Sequence, residues 1–326
     1  MSAAAKLQAA IRGHQVRQQV QIASQSHGVV STTIRAPRNP LSLSVAPGTF
    51  VSDIQQHLQK GATFTRVSVS NGTLRIHGTH DYEGARNPQE LVQSAALGAA
   101  VINGSYFVHK TGLQTECGET IENLGSPVGQ VAGRRDFTPV PGPWLSDYAT
   151  ITANDELILS GAPLLALDGK CLPIEDADRF HYRINGKDNP LNRLAGALTH
   201  SSDANERSAV SLVPIHLSAA IKVILQTLTT GGNRKAGVTM AQWQTITELA
   251  AKSVADALRP GDGGAGASTL NLDGGGSVFL GVRQINGVKI LARGGLPDQP
   301  VRPLANVMAS ETDVASPVLS IRPYHP

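Results

Sequence analysis

The sequence predicts an α/β (mixed α+β) chain, with a mixed sheet core, flanking helices and a separate N-terminal helix. Three observations predict it. Short apolar runs with period-two alternation recur between residues 66 and 291. One long stretch, 239–258, has helical spacing. The 33 glycines and 19 prolines punctuate these runs with turns. Hydrophobic residues at 40% and charged residues at 16% suit a chain that buries a core. With aromatics at only 4%, aliphatic side chains and alanine must do most of the packing.

In chain order, residues 2–24 are rich in Ala and Gln and read as a helix. Residues 25–45 carry Ser, Thr and Pro37 and Pro40 and read as a linker. The organisation expected is therefore a helix at 1–24, a linker at 25–45 and a main domain at 46–326. Arg66–Ser70 and Thr73–His77 flank Asn71-Gly72, the pattern of a hairpin with a tight turn. Pro88–Ala100 reads as a helix and Ala99–Asn103 as a short buried strand. Tyr148–Gly161 reads as a strand pair around Asn154-Asp155. Ser208–Leu217 and Ile221–Thr227 follow as strands. Thr239 is an N-cap candidate for a helix whose Trp243, Ile246, Leu249, Ala250 and Val254 repeat on one face, with Pro260-Gly261 to stop it. Thr269–Leu272, Val278–Val282 and Val288–Leu291 complete the strands.

A formal charge of +3, with no basic block interleaved with aromatics, argues against a nucleic-acid partner. No run approaches the roughly 20 apolar residues of a membrane span. The first twenty residues lack the apolar segment of a secretory signal. The expectation is a soluble chain that reaches any other compartment, a host cytosol included, by a signal-independent route. Two cysteines, Cys117 and Cys171, make no disulfide framework and leave one bridge or two thiols equally open.

The segment that carries chemistry is Ser268–Ser277. An apolar strand delivers Asp273 to its end, and Gly274, Gly275 and Gly276 follow, then Ser277. Glycines let a ligand approach the backbone, and successive N–H groups in such a turn can cradle an anion. A carboxylate beside them suits a sugar phosphate. A plain turn with a solvated aspartate is the bland alternative. A second strand ends at Asn103-Gly104, which puts an amide on a rim, or simply makes an Asn-Gly turn. Asp262, Asp273 and the glycine-rich loop leave room for a divalent cation such as calcium, without the spacing of a helix–loop–helix calcium site. No Cys/His pair has zinc spacing.

Taken in order, five segments resemble the phosphodiester glycosidase family. They are Ile102-Asn-Gly-Ser-Tyr-Phe107, Asn205-Glu-Arg-Ser-Ala-Val210, Gly237-Val-Thr-Met240, Leu270-Asn-Leu-Asp-Gly-Gly-Gly-Ser277 and Gln299-Pro-Val-Arg-Pro-Leu-Ala-Asn306. The resemblance spans about two-thirds of the chain and departs from the family's pattern at Ser105, Tyr106, residues 168–200 and the tail, which reads Pro300-Val-Arg-Pro303 where the family has an acidic residue before Arg-Pro-Val. It implies hydrolysis of the bond between an anomeric carbon and a phosphate in a sugar phosphate or nucleotide sugar. Asp273 is then the leading catalytic carboxylate, with Glu206 and His200 as further acid–base candidates. Arg207 and Arg302 would clamp phosphate, since a guanidinium fork matches its oxygens. Asn103, Gly104, Asn271, Ser277 and the three glycines would line the substrate. A glycosyltransferase using the same pocket, or a binding protein without turnover, are the competing classes.

Leu7, Gln8, Ile11, Arg12, Gly13 and Arg17 fit the pattern apolar-Gln-x-x-x-basic-Gly-x-x-x-basic of the calmodulin-binding IQ motif. Leu7 and Ile11 share one helical face able to enter a methionine-lined groove. An ordinary basic helix packed on its own domain is the alternative. An IQ-like helix joined to a domain of bacterial appearance suggests an effector that works beside calmodulin in a eukaryotic host.

Overall fold

In the computed structural model, the structure describes residues 20–24, 29–36, 49–70, 72–78, 84–115, 117–122, 124–132, 149–174, 181–215, 220–258, 266–312 and 318–323. Its centre is an eight-stranded sheet with neighbours in the order Val20–Ser24, Val29–Arg35, Thr63–Ser70, Ile221–Thr229, Arg207–Pro214, Ser268–Asn271, Leu164–Leu167 and Lys170–Cys171. A five-stranded sheet runs Gly287–Arg293, Phe279–Gln284, Ala100–Asn103, Asn306–Thr312, Gly72–Gly78. Leu319–Pro323, Ala149–Ala153 and Glu156–Gly161 form a third. The mixed α+β class is as the sequence predicts.

Alternation along the central strands explains the layers. In Thr63–Ser70, Val67 and Val69 face one way and Phe64 the other. Val67, Val69, Val210, Leu212, Val223 and Leu225 share one core with Leu74, Ile102, Leu280 and Met308 of the five-stranded sheet, and with Ile151, Leu159 and Ile321 of the third. On the opposite face, Phe64, Leu165, Ala209 and Leu228 meet Met240, Trp243, Ile246 and Ala250 of the helix Met240–Leu258. Trp243 is fully buried, and its ring lies 6.3 Å from that of Phe64. The helix begins as its sequence suggests. Thr239 Oγ1 accepts from the Gln242 N–H at 3.3 Å, and Gln242 Oε1 accepts from the Thr239 N–H at 3.0 Å, a reciprocal cap.

Most strand expectations hold within a few residues, and the pair around Asn154-Asp155 turns with both residues at positive φ. Four expectations do not hold. Val20–Ser24, read as the end of a helix, is a strand antiparallel to Val29–Arg35, which itself lies inside the expected linker and pairs with Thr63–Ser70. A Ser/Thr-rich run reads as loop from composition alone, yet Val29 and Ile34 are buried in the core. The segments either side of Asn71-Gly72 do not pair with each other. Thr63–Ser70 pairs with strands on both sides in the large sheet, while Gly72–Gly78 pairs with Asn306–Thr312 in the other. Alternation reports a strand's faces and is silent about its partner. The helix expected at 88–100 is one turn, Pro88–Leu91, continued by a short tight turn to Ser94. The calmodulin-type motif at 7–17 lies outside the described residues. No helix among the described residues is long and apolar enough to cross a membrane. Cys117 and Cys171 are exposed and unbridged.

A candidate active site

Asp273 is set in place by its own backbone. The Ser268–Asn271 strand runs alongside Arg207–Pro214, and the Leu272 N–H continues the pairing to the Ser208 carbonyl at 2.9 Å. The Asp273 carbonyl then accepts from Asn103 Nδ2 at 2.8 Å and Ser208 Oγ at 2.6 Å. Two strands from different sheets thus pin one residue, and its carboxylate is carried to the floor of a cleft of about 690 Å³. Tyr106, His109, His200, Asn205, Arg207, Arg234, Gly274, Gly275, Gly276 and Arg302 line the same cleft.

The carboxylate is electrostatically perturbed. Burial pushes Asp273 up from 3.8 to about 6, against the opposing pull of the Ser277 hydroxyl, the Arg302 charge and the Gly274 amide. The Gly274 N–H donates to Oδ1 at 2.9 Å. Arg302 Nη1 donates to Ser277 Oγ at 3.3 Å, so the arginine reaches the carboxylate through the hydroxyl. Arg207 is almost sealed: Nε donates to the Val238 carbonyl, and Nη2 to the carbonyls of His200 and Asp203. Burial lowers it to about 10, which leaves it charged at neutral pH. His200 donates from or accepts at Nδ1 with Asp203 Oδ2 at 3.1 Å and stacks on Tyr182 at 4.9 Å. Burial lowers both His200 and His109 below their ordinary value, so both are uncharged at pH 7. In the Tyr106 phenol, burial, reinforced by the Asp273 charge, raises the pKa above its usual range.

The cleft brings together Asp273, His200, Arg207, Arg302 and the three glycines. Other candidates are placed elsewhere. Glu206 is buried and faces away: Oε1 accepts from the Thr230 N–H at 2.7 Å and its hydroxyl at 3.1 Å, and Oε2 from the Gly295 N–H at 2.7 Å. Its carboxylate ties two loops together and does not line the cleft. Asn103 spends its amide on Ser208 and the Asp273 carbonyl, and its oxygen on the Phe279 N–H, so it holds Asp273 in place and does not line the cleft. Asn271 donates to the Tyr106 hydroxyl and two carbonyls, inside the protein. Gly104 is required for packing, since a Cβ there would lie 1.8 Å from Asn306 Oδ1. Ser277 is buried beneath Asp273 and Arg302. The expected amide nest is largely occupied: Gly274 N–H serves Asp273, Gly275 N–H the Glu206 carbonyl and Ser277 N–H the Gly274 carbonyl. Among the described residues no three His, Cys, Asp or Glu side chains group to hold a metal ion, and Asp262 lies outside them.

Sequence reasoning missed five polar lining residues: Tyr106, His109, Ser201, Asn205 and Arg234. Arg234 carried a usable signal, a cation after the paired glycines 231–232 in a loop leaving a buried strand. His109 carried none.

Fold and site define a mixed α+β protein whose cationic cleft surrounds one perturbed carboxylate. No family model matches the sequence, and no curated protein matches it. Among solved structures the chain is similar to the pro-peptide-inhibited catalytic domain of zebrafish N-acetylglucosamine-1-phosphodiester alpha-N-acetylglucosaminidase. Identity is 13% and the TM-score 0.48, over 90% of this chain and 87% of that one.

Proposed function

We propose that this chain is a hydrolase that cuts a sugar-1-phosphodiester at the bond between the anomeric carbon and the phosphate oxygen. The observation that carries the reading is Asp273: a carboxyl raised to about 6, on the floor of a cleft it shares with three arginines. Such a group is ionised at neutral pH yet keeps more basicity than an ordinary aspartate. The phosphate sits against Arg302. The C1–O bond breaks and its electron pair leaves on the phosphate oxygen. A phosphomonoester is a weakly basic leaving group, so no second carboxylic acid is needed to protonate it. Water attacks C1 and gives its proton to Asp273, whose charge also stabilises positive charge developing on the sugar ring. His200 is the second acid–base candidate. With Nδ1–H donated to Asp203, the tautomer leaves a lone pair on Nε2. Glu206 has no part in proton transfer on this reading, because both its oxygens are engaged by the loops.

The test is turnover of UDP-N-acetylglucosamine and of a sugar-1-phosphodiester by the native chain and by Asp273→Asn. A loss of about 100-fold or more is expected, the ordinary scale of one general-base contribution. Undiminished turnover removes Asp273 from the chemistry. A glycosyl group found on protein, with no free sugar released, favours a transferase.

The IQ-like segment supports a separate regulatory proposal: calmodulin binds residues 7–17 and raises activity. It rests on the sequence pattern alone.

A further inference from the structure

The glycine turn has a polar side chain over each of two consecutive residues. The Arg302 guanidinium lies over Gly276, and the Asn205 side chain lies over Gly275. Asn205 is held in one orientation, because its Oδ1 accepts from the Glu206 N–H at 3.0 Å. Its Nδ2 has no partner among the described residues and is not sealed from solvent, so its two N–H donors face the cleft. The same holds for Nη1 of Arg207, whose Nε and Nη2 are committed to carbonyls. Arg234 lines this end of the cleft and acts on the His200 ring, as Arg207 does. Asp203, the neighbouring carboxylate, is engaged by His200 at 3.1 Å. Among the described residues, none of Arg207, Arg234 and Arg302 forms a salt bridge with a carboxylate.

We propose that Asn205, Arg207 and Arg234 form a second anion position, so that the ligand of this cleft carries two neighbouring phosphoryl groups. The inference rests on the hydrolase reading in placing the first phosphoryl group against Arg302. Open donors support it: Asn205 Nδ2, Arg207 Nη1 and the Arg234 guanidinium line the cleft without a carboxylate partner, beside the Arg302 guanidinium over Gly276. The fixed Asn205 amide adds donors without further charge, which suits a phosphoryl oxygen already shared between two arginines.

Binding, measured by calorimetry at low salt on the full chain, tests this without any turnover. Inorganic pyrophosphate is expected to bind about tenfold or more tighter than inorganic phosphate. UDP is expected to exceed UMP similarly if the diphosphate arrives within a nucleotide; a preference confined to the inorganic pair supports the position with free pyrophosphate as its source. Asn205→Asp keeps the acceptor for the Glu206 N–H but replaces the donor with a charge, and it should erase the preference. Arg234→Ala, at an exposed position, should weaken it with the fold intact. Equal affinity for pyrophosphate and phosphate in the native chain overturns the proposal, as does a preference untouched by both variants. Failure here with turnover intact leaves the hydrolase reading standing. Loss of turnover with the pyrophosphate preference intact removes the hydrolase reading alone.

Discussion

Replacing Asp273 by Asn should make the protein more stable, and only at neutral and alkaline pH. Between 3.8 and about 6 lie roughly two powers of ten in proton affinity, each worth about 1.4 kcal/mol. Holding the carboxylate ionised in the folded chain therefore costs about 2–3 kcal/mol relative to an unfolded chain, where it ionises freely. The sign follows from linkage. Well below 3.8 the group is protonated in both states and contributes no penalty; as pH rises from there through about 6 the unfolded chain ionises first, stability is lost across that window, and the loss is complete above it. Asparagine carries no charge at any pH, and its oxygen can still accept from the Gly274 N–H. Urea unfolding of both proteins well below pH 3.8 and at about pH 8 measures the difference. The variant should gain about 2–3 kcal/mol at the higher pH and close to nothing at the lower. The same gain at both values, or a variant weaker at pH 8, would show that Asp273 is not electrostatically strained, and the argument for its basicity would go with it. On the hydrolase proposal activity moves the opposite way, since the raised proton affinity is what that reading uses.

Glu206→Gln should lower stability by about 1–3 kcal/mol, because an amide nitrogen would oppose the Gly295 N–H that Oε2 now accepts. In a comparison with Glu206→Ala by kinetics and melting, an effect on kcat without a new pKa in the pH profile marks a positioning role; a lost ionisation in that profile would restore it as an acid–base group. Gly237→Ala places a Cβ 2.5 Å from the Asn205 carbonyl oxygen, against backbone that cannot swing aside. It should cost about 1–3 kcal/mol and loosen Arg207, whose Nε rests on the adjacent Val238 carbonyl; a melt unchanged from the native protein refutes the close approach. Addition of calmodulin to the full chain should raise turnover, and Leu7→Ala with Ile11→Ala should abolish the response; identical rates with and without calmodulin end the regulatory proposal.

What could be read in advance divides along a physical line. Local periodicity gave the helix at 240–258 and the faces of most strands, because burial is imprinted residue by residue. It could not say that the chain crosses between sheets at Gly72, since pairing depends on partners more than two hundred residues away, such as Asn306–Thr312. Nor could it find Val29–Arg35, where polar side chains share a strand with a buried valine and isoleucine.

The same line runs through the site. Residue chemistry suggested which groups would gather, and Asp273, Arg302, Arg207 and His200 do gather in one cleft. It could not say which way each would face. Glu206 and Asn103 have the functional groups that a sugar site wants, and both spend them on the protein. A strand end that must hold one strained carboxylate still needs donors and acceptors around its backbone. Asn103 and Ser208 hold the Asp273 carbonyl, and Glu206 fixes the loops that bracket the glycine turn. Asn205, which opens one of the matched segments but takes no role from the resemblance, has its oxygen caught by the next residue's N–H and its amide nitrogen left open. The polar residues around Asp273 thus divide by whether the backbone has already claimed their hydrogen bonds, and those it leaves open are the ones a ligand can use.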